Sequence, residues 1–173
     1  PQSGTAKPQS FFTFILASSF VNQIKMSAVS ARRRLQRDIV ELERSNIPSI
    51  AAKPLEDNLF EWHVNISPLE GVYSDIYFHL IMQFPTSYPF KPPVIVICTP
   101  IHHPNIFDSF LCLSMLRENT SNHPYEGWSS SYSIASILMQ LQSFLFAEKI
   151  EQDGGYMADA RLSDYSVRNS KQI

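Results

Sequence analysis

Phe84-Pro85-Thr86-Ser87-Tyr88-Pro89-Phe90-Lys91-Pro92-Pro93, then His103-Pro104-Asn105, then Cys112-Leu113-Ser114-Met115-Leu116, then Trp128-Ser129: this ordered stretch is the informative part of the chain. Seven of the chain's 12 prolines fall between Pro85 and Pro124, against 5 glycines in the whole sequence. Proline fixes φ and removes a donor N–H, so the middle of the chain is stiff and turned rather than a regular element. From Thr99 to Ser131 the sequence shows no hydrophobic period. It is too long for an idle loop in a compact domain, so chemistry is to be sought there. Within it lies one thiol, Cys112, with one carboxamide, Asn105, close by in sequence. A free cysteine between leucines is ordinarily structural, and its place outside any strand is what marks Cys112 as a candidate. Cys98 sits inside the apolar run 94–99 and is expected in the core.

On either side the pattern is periodic. Upstream, runs at 49–55, 59–66, 76–84 and 94–99 read as strands. In the third, Phe78, Leu80, Met82 and Phe84 alternate with Tyr77, His79, Ile81 and Gln83. Short connections between consecutive strands predict an antiparallel meander. Downstream, a helix is expected over about Ser133–Ala147, with Ile134, Ile137, Leu138, Leu141, Phe144 and Leu145 as a core-facing stripe. Ahead of the strands, Leu35, Ile39 and Leu42 mark a helix from Ser30, capped by Ser27 or Ser30 and ended by Asn46-Ile47-Pro48. Arg32, Arg33, Arg34 and Arg37 then crowd its first turns, against the helix dipole; either they keep a basic face for a partner or they form a solvated face. Residues 1–26 read as an extension of uncertain status: the apolar run Phe11–Val21 is too short to span a bilayer, and Lys7 alone precedes it. The expected layout is thus an extension (1–26), a core domain (27–150) and a short tail (151–173).

With 173 residues, 44 % hydrophobic and 17 % charged, the chain is a soluble-type globule of one domain, large enough to fold without metal or disulfide. Its net charge of −2 argues against nucleic acid as a partner, and no membrane association is expected. Two cysteines suit a reducing compartment, cytoplasmic or nuclear.

The order and spacing of these motifs resemble the ubiquitin-conjugating enzyme family over roughly residues 28–148. The resemblance implies an α/β domain of α+β type: a leading helix, a four-stranded antiparallel meander and a central helix on the sheet. It implies that Cys112 accepts ubiquitin, or a ubiquitin-like protein, as a thioester from an activating enzyme. The modifier then passes to an amine of a protein substrate or to a ligase cysteine. Such transthiolation needs no bound cofactor, since the activating enzyme consumes the ATP. By the family's pattern Asn105 either offers a carboxamide N–H near the oxyanion or holds the loop that shapes it. Loss of an oxyanion donor typically costs on the order of a hundred- to thousandfold. His103 and Pro104 are implied as loop supports. Activating-enzyme and ligase contacts are implied for Arg32, Arg33, Arg34 and Arg37, and for Phe90, Pro92, Ser130 and Ser131.

The chain departs from that pattern in several places. Seven positions separate Asn105 from Cys112, one fewer than usual, and Asp108-Ser109 stands where a glycine is expected. The insert Arg117–Gly127 is longer than in short members and carries Glu118, His123 and Glu126, either to guide chain building or as a passive loop. Tyr73-Ser74-Asp75-Ile76 lacks the glycines of the usual hairpin, and Ser130-Ser131 replaces a Pro-Ala. Two further helices are expected to be missing, and Glu148, Glu151 and Asp153 are the candidates for an acid that orients the incoming amine. Competing readings are an inactive variant serving as a ubiquitin- or ligase-binding scaffold, and a thiol hydrolase using Cys112 with His102, His103 or His123. A zinc site from Cys98, His102, His103 and Cys112 matches no tight ligand spacing.

Overall fold

The computed structural model describes residues 9–70, 73–74, 76–101, 103–119, 127–147, 149–152 and 156–159. Helix α1 spans Gln9–Ser45, and strands β1 (Ile50–Pro54), β2 (Glu61–Ile66), β3 (Phe78–Gln83) and β4 (Val94–Ile97) follow. A short hairpin comes next, β5 (Ile106–Phe107) and β6 (Phe110–Leu111), then a 3-10 turn at Ser114–Leu116. Helix α2 (Ile134–Leu145) and a final antiparallel hairpin, β7 (Lys149–Gln152) with β8 (Tyr156–Asp159), complete the order.

The expected four-strand meander is present, and the hairpin extends it to the order β1-β2-β3-β4-β6-β5, antiparallel throughout. The two-residue period sets the register. Trp62 faces Met82, Val64 faces Leu80 and Ile66 faces Phe78, so one sheet face is wholly apolar and buried. Ile95 and Ile97 continue that face. Against it α2 lays Ile134, Ile137, Leu138, Leu141 and Leu145, all buried, and α1 adds Ala31 and Leu35. Ser133 is the N-cap of α2, its side chain accepting from the Ser136 N–H. Inside this layer the Gln142 amide donates to the carbonyls of Pro48 (3.0 Å) and Ser67 (2.8 Å), tying α2 to the ends of β1 and β2.

Two expectations need correction. First, α1 does not start at Ser27 or Ser30; it runs through both from Gln9. Nothing between Gln9 and Ser45 is a proline or glycine, so no breaker stops the helix earlier. The Ser27 hydroxyl donates instead to the Thr86 carbonyl at 2.8 Å. The arginines therefore lie mid-helix, beyond reach of the N-terminal dipole charge, and the conflict expected there does not arise. Second, Cys98 is exposed, not core. An apolar run hides its own alternation: Ile95 and Ile97 point inward, and Cys98 follows on the other side. Beyond α2, Lys149–Gln152 and Tyr156–Asp159 pair as the β7–β8 hairpin, and Glu151 lies in β7; Glu148 and Asp153 fall outside the described residues.

Candidate functional site

The unperiodic segment is organised by hydrogen bonds rather than by hydrophobic pattern. The His103 carbonyl accepts the Ile106 N–H (3.0 Å), closing a turn over Pro104 and Asn105. His103 Nδ1 accepts the Asn105 N–H at 3.1 Å, and its ring packs on Phe144 of α2 with centroids 5.1 Å apart. Burial pushes the imidazole pKa down, with the Phe144 backbone pulling the other way, and the buried Nε2 makes no bond of full hydrogen-bond geometry. His103 is thus a neutral support for the turn.

The hairpin β5–β6 then reverses the chain between Phe107 and Phe110. Asp108, at φ 56°, takes the left-handed conformation that glycine would adopt freely. Aspartate is among the few other residues that visit it. The Ser109 carbonyl accepts the Ile97 N–H at 2.8 Å, which fixes the hairpin to the end of β4. That reversal returns Cys112 beside Asn105. The Cys112 N–H donates to the Asn105 carbonyl (2.8 Å), and Asn105 Nδ2 donates to the Cys112 carbonyl (3.2 Å). The two residues hold each other's backbone, leaving the Cys112 side chain half-buried at the surface. Asn105 Oδ1 is buried without a partner. Leu113, buried, anchors the next step, and the 3-10 turn follows.

One residue of the site has only an indirect mark in the sequence. Arg117 stands there simply as the head of the insert, yet its Nη2 donates to Cys112 Sγ at 3.0 Å. A basic residue five positions after a thiol, across one tight turn, was the available signal. His103 is turned to Asn105 and is not the partner of the sulfur; His102 and His123 lie outside the described residues. Among the described residues, no group of three or more His, Cys, Asp or Glu could hold a metal ion. No described helix is long and apolar enough to cross a membrane.

The proline-rich segment packs under the start of α2. Phe84, Tyr88, Trp128 and Tyr132 stack edge-on or tilted in sequence, and Trp128 Nε1 donates to the Pro89 carbonyl at 2.7 Å. This joint presents Phe90, 75 % exposed, on one flank and the exposed Ser130 and Ser131 on the other. Pro92 is half-buried. Arg33 and Arg37 are exposed along α1, and Arg32 lies over the Phe60 ring at 5.1 Å. Arg34 is spent internally, and its guanidinium is not offered to a partner. It pairs with Asp38 (2.9 Å) and donates to the carbonyls of Ser130 and Tyr132, each at 2.7 Å. Asp38, buried, also accepts the Tyr88 hydroxyl at 2.6 Å. Burial raises the Asp38 pKa although Tyr88 and Arg34 oppose it; burial, then Asp38, raise that of Tyr88. Of the insert, Glu118 pairs with Lys91 at 3.0 Å, while residues 120–126, with His123 and Glu126, lie outside the described residues.

Comparison with known proteins agrees with this architecture. The family described as "Ubiquitin-conjugating enzyme" matches residues 34–166. A ubiquitin-conjugating enzyme E2 2 of Yarrowia lipolytica is 30 % identical over 148 residues, spanning 84 % of this chain and 93 % of that one. Ubiquitin-conjugating enzyme E2-20 kDa of Schizosaccharomyces pombe is 35 % identical over 119 residues, 67 % of this chain and 63 % of that protein. The solved structure of human ubiquitin-conjugating enzyme E2 G1 superposes with a TM-score of 0.56 at 29 % identity, covering 63 % of this chain and 88 % of that one.

Proposed function

The chain belongs to the ubiquitin-conjugating enzyme family, and on that premise we propose that Cys112 carries ubiquitin or a ubiquitin-like protein as a thioester. The modifier comes from an activating enzyme and leaves to a substrate amine or a ligase cysteine. The observation that carries this reading is the mutual backbone clamp between Cys112 and Asn105, which holds a half-buried thiol at the surface. Attack by the sulfur on the incoming thioester requires access from solvent, and this placement allows it. Transfer needs neither metal nor bound cofactor, because a thioester is already poised for attack by an amine or a thiol. Of the two roles open to Asn105, its bond to the Cys112 carbonyl favours holding the loop over donating to an oxyanion. His103 and Pro104 support the same turn. Phe90, Pro92, Ser130 and Ser131, with Arg32, Arg33 and Arg37 on α1, form the surface for the ligase and activating enzyme. The setting is cytoplasmic or nuclear.

A charging reaction tests this: protein, activating enzyme, ATP and ubiquitin, resolved on a non-reducing gel beside Cys112→Ala. The expected product is heavier by one ubiquitin, disappears with thiol reductant and is absent from the variant. No product with ubiquitin, nor with ubiquitin-like modifiers and their own activating enzymes, would contradict the reading and favour a binding scaffold of the same fold.

A further inference from the structure

We propose that Arg117 is a second catalytic residue of this centre, its guanidinium bearing on the Cys112 sulfur as charge develops there. The proposal rests on the thioester reading above. Its ground is the contact itself: Arg117 Nη2 lies 3.0 Å from Cys112 Sγ, on the atom that reacts.

The position of Arg117 is built, not incidental. Its N–H donates to the Ser114 carbonyl at 3.0 Å, and its carbonyl accepts the Trp128 N–H at 2.8 Å. Gly127, at φ 83°, lets the returning chain come that close; a Cβ there would stand 2.8 Å from the Arg117 carbonyl oxygen. Trp128 is buried and bonded in turn to the Pro89 carbonyl. The insert therefore opens and closes on Arg117, and its side chain springs from a backbone fixed on both sides.

The chemistry needs such a group. In charging, Sγ bonds to the donor's thioester carbonyl carbon, the donor's carbon–sulfur bond breaks, and the electron pair and the Cys112 proton pass to the donor sulfur. In discharge, an amine nitrogen bonds to that carbon, the bond to Sγ breaks, and the pair returns to Sγ, which recovers a proton given up by the amine. Sγ changes its charge in both steps. A guanidinium is always charged and gives up no proton, so it can hold that charge without entering the proton balance.

The test uses the full chain as wild type, Arg117→Ala and Arg117→Lys. Alkylation of the free protein by iodoacetamide at fixed pH and salt reports on the thiol without any modifier or activating enzyme. Discharge of the isolated thioester to free lysine, and charging against activating-enzyme concentration, report on catalysis. Arg117→Ala is expected to slow alkylation and discharge about tenfold, the scale of a charge-assisted hydrogen bond at an exposed site. The KM for activating enzyme should stay within twofold, and Arg117→Lys should recover most of the loss. Alkylation and discharge within twofold of wild type in Arg117→Ala would overturn the proposal. So would a loss that Arg117→Lys fails to recover and that accompanies a lowered melting temperature, since that is a loop defect. Should the wild type accept no modifier, the thioester reading falls and the catalytic role with it, while alkylation still decides whether Arg117 activates the thiol.

Discussion

Asp108 does at the residue scale what glycine does elsewhere, and at a cost. Its left-handed φ of 56° burdens a side chain that bears a Cβ. Asp108→Gly should remove that burden, partly offset by the greater freedom of glycine in the unfolded chain, for a gain of about 0.5 kcal/mol in urea unfolding. A loss of stability would show that the Asp108 side chain contributes more than its backbone costs. His103 gives a pH signature of definite sign. Its pKa is lowered by burial, so below the ordinary imidazole value of 6.5 the unfolded chain takes a proton that the folded one resists. Its stabilising share is complete above that pH and is lost as pH falls toward the depressed folded value. His79, lowered by burial and then by neighbouring His63, acts with the same sign. Asp38, raised, acts in the opposite sense, its cost vanishing below 3.8. The melting temperature should therefore fall between pH 7.5 and 5.5. His103→Asn, which can still accept the Asn105 N–H, should flatten that fall. An unchanged slope in the variant would remove His103 from the account.

At the scale of elements, α1 and α2 are joined by polar links across an apolar core. Arg34 reaches from α1 to the carbonyls just before α2, the Ser133 hydroxyl donates to Glu41 of α1, and Asp38 receives Tyr88 from the proline-rich segment. Tyr88→Phe leaves the buried carboxylate one donor short, so it should cost about 1–3 kcal/mol in denaturant unfolding. A change under about 0.5 kcal/mol would mean that Arg34 alone satisfies Asp38. Ser133→Ala loses both the cap of α2 and the link to Glu41, and should cost about 1–2 kcal/mol; a neutral result would indicate that neither bond is made. What could be read from sequence at this scale follows from periodicity. β2, β3 and α2 lie where alternation and the helical stripe placed them, since each buries one continuous face. The start of α1 was illegible because the apolar residues ahead of Ser27 contain no breaker, so neither serine was needed as a cap. The hairpin β5–β6 was illegible because two-residue strands carry no period.

For the whole molecule, the sheet and α2 share one buried core, and the loop bearing Cys112 is pinned to it by His103 against Phe144 and by Ser109 against Ile97. Cys112, Asn105 and His103 were legible as a set because their types and order are distinctive, even with one residue fewer between Asn105 and Cys112. Which of their groups meet was not, since the bond from the Asn105 amide to the Cys112 carbonyl depends on the hairpin between them. For Arg117 the spacing of five positions from the thiol was legible, but not that its side chain folds back onto the sulfur. The exposure of Cys98 leaves two thiols to tell apart, for the chain has two cysteines and both are open to solvent in some degree. The direct measurement is intact and peptide mass spectrometry of the charged protein, run on wild type, Cys98→Ala and Cys112→Ala. One modifier should add to wild type and to Cys98→Ala, mapped to the peptide containing Cys112 and released by reductant, with none on Cys112→Ala. An adduct on the Cys98 peptide, or one that persists in Cys112→Ala, would contradict the assignment of Cys112 as the thioester acceptor.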